Sequence, residues 1–119
     1  MIKNGLHIKA DGTKEWYLHG DLHRIGSPAV VYSEGSEEWR QYGKLHRDDG
    51  PAFSQRGHLS WWYRGERHRV DGPAVIHEDG TLEWWVGYNS AHSAREFQNL
   101  TRCSDEHLIK MVLIYGEIK

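Results

Sequence analysis

The chain has 119 residues, with 15 Lys and Arg set against 17 Asp and Glu, a formal net charge of −2. That balance argues against general binding to nucleic acid or anionic membranes, although nine histidines make it sensitive to mild acid. A single cysteine, Cys103, excludes an internal disulfide and points to a reducing, cytoplasmic setting; no apolar run reaches membrane-spanning length and no signal peptide is visible.

The chain opens on half a unit, Leu6 to Lys14, leading into the turn Asp11-Gly12. A run Glu15-Trp16-Tyr17-Leu18 follows, then Gly20-Asp21-Leu22-His23-Arg24, then Pro28-Ala29 and the run Ala29-Val30-Val31-Tyr32. The same order returns with Glu34-Gly35, Trp39, Gly43, His46-Arg47 and Pro51-Ala52. It returns again with Arg56-Gly57, Trp61, Gly65, His68-Arg69 and Pro73-Ala74. A period of 23 and then 22 residues between histidines predicts one small unit stacked on itself. Aromatic and β-branched runs broken by Gly predict strands, and Asp-Gly between them predicts tight hairpins. Proline, with fixed φ and no N–H, suits the entry to a strand.

The shorter period comes from the stretch holding Phe53 to Arg56, which lacks one residue. Such a loss re-registers a strand unless a bulge or a shorter turn absorbs it. A degenerate fourth copy follows Gly80. Aligning its His92 with the earlier histidines puts Trp85 in the Trp slot and Asn89 in the Gly slot; aligning Gly80 puts Trp84 there. The sequence leaves both open. No Arg or Pro-Ala follows, so the array is expected to span residues 1–92.

Residues 93–119 read as a helical cap. Ser93-Ala94-Arg95-Glu96 fits a capping box for a helix through Leu100. Ser104-Asp105-Glu106 opens a second, running to about Tyr115 with Gly116 as its stop. Leu108, Met111, Val112 and Tyr115 form one apolar stripe, while Ile109, Leu113 and Ile114 lie outside it. Sealing the open end of the stack is the expected role, and contact with a second copy of the chain or with a partner is the alternative.

The unit Trp-x₃-Gly-x₂-His-Arg-x₂-Gly-Pro-Ala, over about residues 5–92, resembles the MORN repeat. It is closest to a variant of phage and bacterial proteins in which His-Arg and Gly-Pro-Ala replace the usual glycines. The resemblance implies an elongated, twisted array of about four antiparallel β-hairpins serving as a binding or assembly scaffold. The Arg and Pro departures carry no lipid-binding role over. The phage-type variant further implies an inhibitor or adaptor acting on a host protein, in the host cytoplasm.

Equivalent atoms in successive units should lie about 9–10 Å apart, at roughly 4.8 Å per strand. His23, His46 and His68 therefore cannot meet around one zinc ion, and no metal or cofactor is expected. Their expected role is to bond backbone groups in the turns. Arg47 and Arg69 have acids two residues on, Asp49 and Asp71, whereas Gly26 stands in that place after Arg24, leaving Arg24 freer for a ligand. Repetition also argues against an enzyme, because catalysis usually needs one asymmetric constellation.

Along the second strand of each unit, alternation puts Trp16, Leu18, Trp39, Gln41, Trp61 and Tyr63 on one face, expected as the packed interior. It puts Tyr17, Arg40, Tyr42, Trp62 and Arg64 on the other, where aromatic and Arg residues match the composition of protein-binding hot spots. With Arg24 these are the candidate partner-binding residues; Trp16, Gly20, His23, Trp39, Gly43, His46, Arg47, Trp61, Gly65, His68 and Arg69 are the structural signature. The expected function is a non-enzymatic module that binds and modulates another protein. The alternatives are capture of a phosphorylated or nucleotide-like ligand and self-assembly through the C-terminal helix.

Overall fold

The computed structural model describes residues 2–119. The fold is mainly β, 14 antiparallel strands followed by two helices. It is drawn out to 51 × 27 × 19 Å, as a one-dimensional stack requires. Among the described residues no helix is long and apolar enough to cross a membrane.

Every unit supplies strands to a main sheet, and the second and third each set one hairpin to its side. In chain order the strands are β1 (Gly5–Ile8), β2 (Lys14–Leu18), β3 (Asp21–Leu22), β4 (Val30–Val31), β5 (Glu37–Glu38), β6 (Arg40–Gln41) and β7 (Lys44–Leu45). They continue as β8 (Phe53–Gln55), β9 (His58–Ser60), β10 (Trp62–Tyr63), β11 (Glu66–Arg67), β12 (Val75–Ile76), β13 (Leu82–Val86) and β14 (Asn89–Ala91). The main sheet runs β1-β2-β4-β5-β8-β9-β12-β13-β14, with β3 beside β2, while β6-β7 and β10-β11 stand apart as two-stranded hairpins.

The division falls at the tryptophan. Glu37–Glu38 pair within the main sheet, whereas Arg40–Gln41, one residue beyond Trp39, pair only with the returning Lys44–Leu45. Trp61 separates β9 from β10 in the same way. At this junction the Trp N–H bonds the alanine carbonyl of the neighbouring strand: Trp16 to Ala29 at 2.8 Å, Trp39 to Ala52 at 2.6 Å and Trp61 to Ala74 at 2.7 Å. Those alanines are completely buried, so the slot after proline has room for little more than a methyl group.

The missing residue of the third unit is absorbed at its outer turn. Tyr32 N–H bonds Ser36 O and His77 N–H bonds Thr81 O, each across three residues. Gln55 pairs with His58 across two, Arg56 (φ 45°) and Gly57 (φ 86°), both left-handed. This is the two-residue hairpin turn whose twist matches its strands. Register on either side is preserved.

The fourth unit follows the Trp84 alignment. Trp84 pairs with Ala91 just as Trp16 lies opposite His23, so Ala91 fills the His slot and His92 the Arg slot. The helices are α1 (Ala94–Thr101) and α2 (Asp105–Tyr115), capped by Ser93 and Ser104. The Ser93 hydroxyl accepts from Glu96 N–H, while the Glu96 carboxylate reaches back to His92 N–H, one residue before the expected box partner. Gly116 ends α2 at φ 87°. Trp84, Phe97, Met111 and Ile118 form the one core cluster among the described residues, with Leu108 and Tyr115 packed against it. Ile109, Leu113 and Ile114 remain exposed.

On the sheet face opposite the tryptophans, the Tyr32 phenol is pushed up to about 12, by burial first and then by its hydrogen bond to the Glu38 carboxylate. A folded-state value raised above the ordinary 10 stabilises the fold below pH 10, and that stabilisation is lost as pH rises from 10 toward 12. Alkaline titration of stability should show this loss, and Tyr32→Phe should remove that component of the pH dependence.

Candidate functional site

The signature residues build one junction, repeated three times. Each Arg lays its guanidinium over the Trp eight positions earlier: Arg24 on Trp16 at 3.8 Å, Arg47 on Trp39 at 3.7 Å and Arg69 on Trp61 at 3.8 Å. Each also donates through Nη1 to the proline carbonyl four residues on. Arg47 and Arg69 bond Asp49 and Asp71 as well, each at 2.9 Å, and the bond from Arg47 holds the Asp49 carboxyl below its ordinary range. Arg24 has no such acid, yet the Trp stack and the Pro28 carbonyl hold it in the same place. Arg24 lacks the ion pair, as expected, but its guanidinium is engaged by Trp16 and the Pro28 carbonyl.

The guanidinium explains the glycine of Gly-Pro-Ala. A Cβ at Gly50 would lie 2.8 Å from Arg47 Cζ, and one at Gly72 would lie 2.7 Å from Arg69 Cζ. The first copy carries Ser27 in this slot, and the preceding Gly26 adopts φ 82°, a backbone path the other copies do not take. The tryptophan row is also not the uniform interior expected of it. Trp16, Trp39 and Trp61 are half-buried beneath their arginines, and only Trp84, under the helices, is fully covered.

The histidines join one unit to the next. His23 Nδ1 accepts the backbone N–H of Tyr42 at 3.0 Å, His46 Nδ1 that of Arg64 at 3.0 Å and His68 Nδ1 that of Gly87 at 3.1 Å. Beside the first two lies a second cross-unit bond, Gly43 N–H to Leu22 O and Gly65 N–H to Leu45 O, both 2.9 Å. At the N-terminal end Asn4 does the work of histidine: its Oδ1 accepts His19 N–H at 2.8 Å, and Gly20 N–H bonds Lys3 O. The sequence reading missed Asn4 because no Trp or Arg accompanies it; its only signal was a side-chain acceptor upstream of a turn. Among the described residues no three His, Cys, Asp or Glu gather where a metal ion could sit.

The opposite face ties up three candidate residues. A donor two residues after an acceptor spans the strand junction in each unit: Tyr17 to Glu15, Arg40 to Glu38, Trp62 to Ser60 and Trp85 to Glu83. Arg40 also donates to Gly43 O at 2.7 Å. Tyr17, Arg40 and Trp62 thus brace their own units. Tyr42 and Arg64 do not join them, which corrects the alternation argument. Both lie past the end of their strands, at φ 51° and 49°, and the left-handed backbone carries them round to the tryptophan side.

There they line a cleft of about 460 Å³ between hairpins β6-β7 and β10-β11, with Gln41, Lys44, His46, Asp48 and Tyr63. The Tyr63 ring rests on the His46 ring at 4.7 Å and Tyr42 on His23 at 4.5 Å. Both tyrosines are exposed. The units provide an internal comparison. Of the seven lining residues, only His46 occupies a slot filled alike in the first three units; the other six vary from copy to copy. The cleft is thus lined by one residue of the repeated signature and six that differ between copies.

Comparison with known family models, with characterised proteins and with solved structures finds no match.

Two outcomes test the histidine joint. Because Nδ1 accepts, the neutral rings of His23, His46 and His68 should carry their proton on Nε2, readable in long-range ¹H–¹⁵N spectra. His46→Phe, which leaves the Arg64 N–H without an acceptor, should lower stability by about 1–3 kcal/mol, and His46→Asn, which copies Asn4, by markedly less.

Proposed function

We propose that this protein is a non-enzymatic binding module whose docking onto another protein modulates or inhibits that partner. The observation that carries the reading is the exposed Tyr42, Tyr63 and Arg64 group at a cleft formed by variable positions on a repeated scaffold. Tyrosine and arginine give large, amphipathic contact area and dominate measured binding hot spots. The scaffold holds them rigidly, since each turn that carries Tyr42 or Arg64 donates two backbone N–H groups to the previous unit, one to an imidazole nitrogen and one to a carbonyl. Little ordering remains to be done on binding.

Two features support the non-enzymatic part. The only imidazole in the cleft, His46, has Nδ1 occupied by Arg64 N–H and Nε2 3.3 Å from Asp48. The cleft also lacks a serine, threonine or cysteine that a base could activate. The resemblance of the unit to phage-type MORN-like repeats supports a host protein as the target. A second reading, self-association, is favoured by one observation: Ile109, Leu113 and Ile114 stand exposed on α2.

The test is recovery of a partner on the immobilised protein, followed by measurement with that partner purified. Tyr42→Ala with Tyr63→Ala should weaken binding by at least about tenfold while the melting temperature stays within a few degrees. Leu113→Glu should bind normally. If no partner is recovered and the protein shows a concentration-dependent mass that Leu113→Glu abolishes, self-assembly replaces docking as the function.

A further inference from the structure

The cleft between the second and third hairpins differs from its neighbours in charge. The slot after the turn glycine holds Asp21 in the first unit, Lys44 in the second, Glu66 in the third and Asn89 in the fourth. The turn position before that glycine holds His19, Tyr42, Arg64 and Gly87. Only at this cleft do both slots carry a cation. Lys44 runs across the turn that bears Arg64, its Cδ 3.5 Å from where a Cβ on Gly65 would stand. Neither Lys44 nor Arg64 takes part in an ion pair among the described residues.

Both residues are exposed and line the same cleft as the Tyr42 and Tyr63 rings, and we call their side of it the lip. The one carboxylate lining the cleft, Asp48, lies 3.3 Å from His46 Nε2 and is paired with neither Lys44 nor Arg64. On a chain of net charge −2 this is a local cationic spot rather than part of a basic surface. The adjoining cleft has Glu66 in the lysine slot, bonded to the Tyr88 phenol and raising its pKa.

Resting on the docking reading above, the geometry points to an acidic protein segment as the occupant: a carboxylate seated between Lys44 and Arg64, with a neighbouring aromatic side chain laid against Tyr42 and Tyr63. Arg64 supplies a planar fork and Lys44 a point charge, a pair suited to a carboxylate held at an exposed lip. The rings contribute through stacking at low rotamer cost.

The test uses the labelled protein and three probes: the capped tetrapeptide Asp-Phe-Glu-Asp, its uncharged counterpart Asn-Phe-Gln-Asn, and inorganic phosphate. The acidic peptide should shift the backbone amides of Tyr42, Lys44 and Arg64 in a saturable way at millimolar concentration, and about 0.5 M salt should largely abolish the effect. Lys44→Glu and Arg64→Tyr should each weaken it by about tenfold. Both replacements are compatible with the fold, because the array already carries acids in the lysine slot and Tyr42 in the arginine slot. An equal response to the uncharged peptide, the same response to phosphate alone, or no shift at about 10 mM peptide overturns the inference. If a purified partner binds Lys44→Glu as tightly as the parent, docking stands and the acidic occupant falls; if no partner exists but the peptide still binds at the lip, the reverse holds.

Discussion

An imidazole nitrogen accepting a backbone N–H from the following unit is the contact on which the rest of this molecule depends. Each side hairpin is only two residues per strand, too short to persist alone in water. Its turn is left-handed at both central positions, a conformation that costs a non-glycine residue free energy. The histidine of the previous unit fixes that turn from outside and satisfies an N–H that the hairpin cannot satisfy itself. Stability therefore accrues between neighbours rather than within units, as in other linear arrays.

The arginine performs the complementary task inside a unit. It covers the tryptophan with a flat cation, caps the proline carbonyl and, at Arg47 and Arg69, leaves room only for a glycine beneath it. This explains how a chain with so little interior persists. Half-buried indoles are shielded by guanidinium stems rather than by a second layer. Only at the C-terminal end does a true second layer form, where Phe97, Met111 and Tyr115 replace the missing arginine over Trp84. Tyr115 also reaches Arg69, so the helices continue the same covering row.

Much of this was legible in the residues. The repeat, the turn positions, the Arg47–Asp49 and Arg69–Asp71 pairs, and both helices with their serine caps follow from spacing and local chemistry. Three things were not legible. Strict alternation fails at Tyr42 and Arg64, because a positive φ at a non-glycine residue leaves no mark in composition. The stack of Arg24 on Trp16 spans eight residues and depends on how two strands come together, which no short-range pattern encodes. The fourth unit kept its tryptophan but lost its histidine to Ala91, so His92 and Gly80 gave two alignments one place apart, and nothing in the residues chose between them.

The third outer turn, two residues long where the others have three, carries a further meaning. The shortening is confined to the tip, and the register of the flanking strands matches that of the other units. Sequence length between units can thus drift without mechanical consequence, while the acceptor and the amide it meets are held in place. Kinship among such units is better measured by that geometric ruler than by counting residues along the chain.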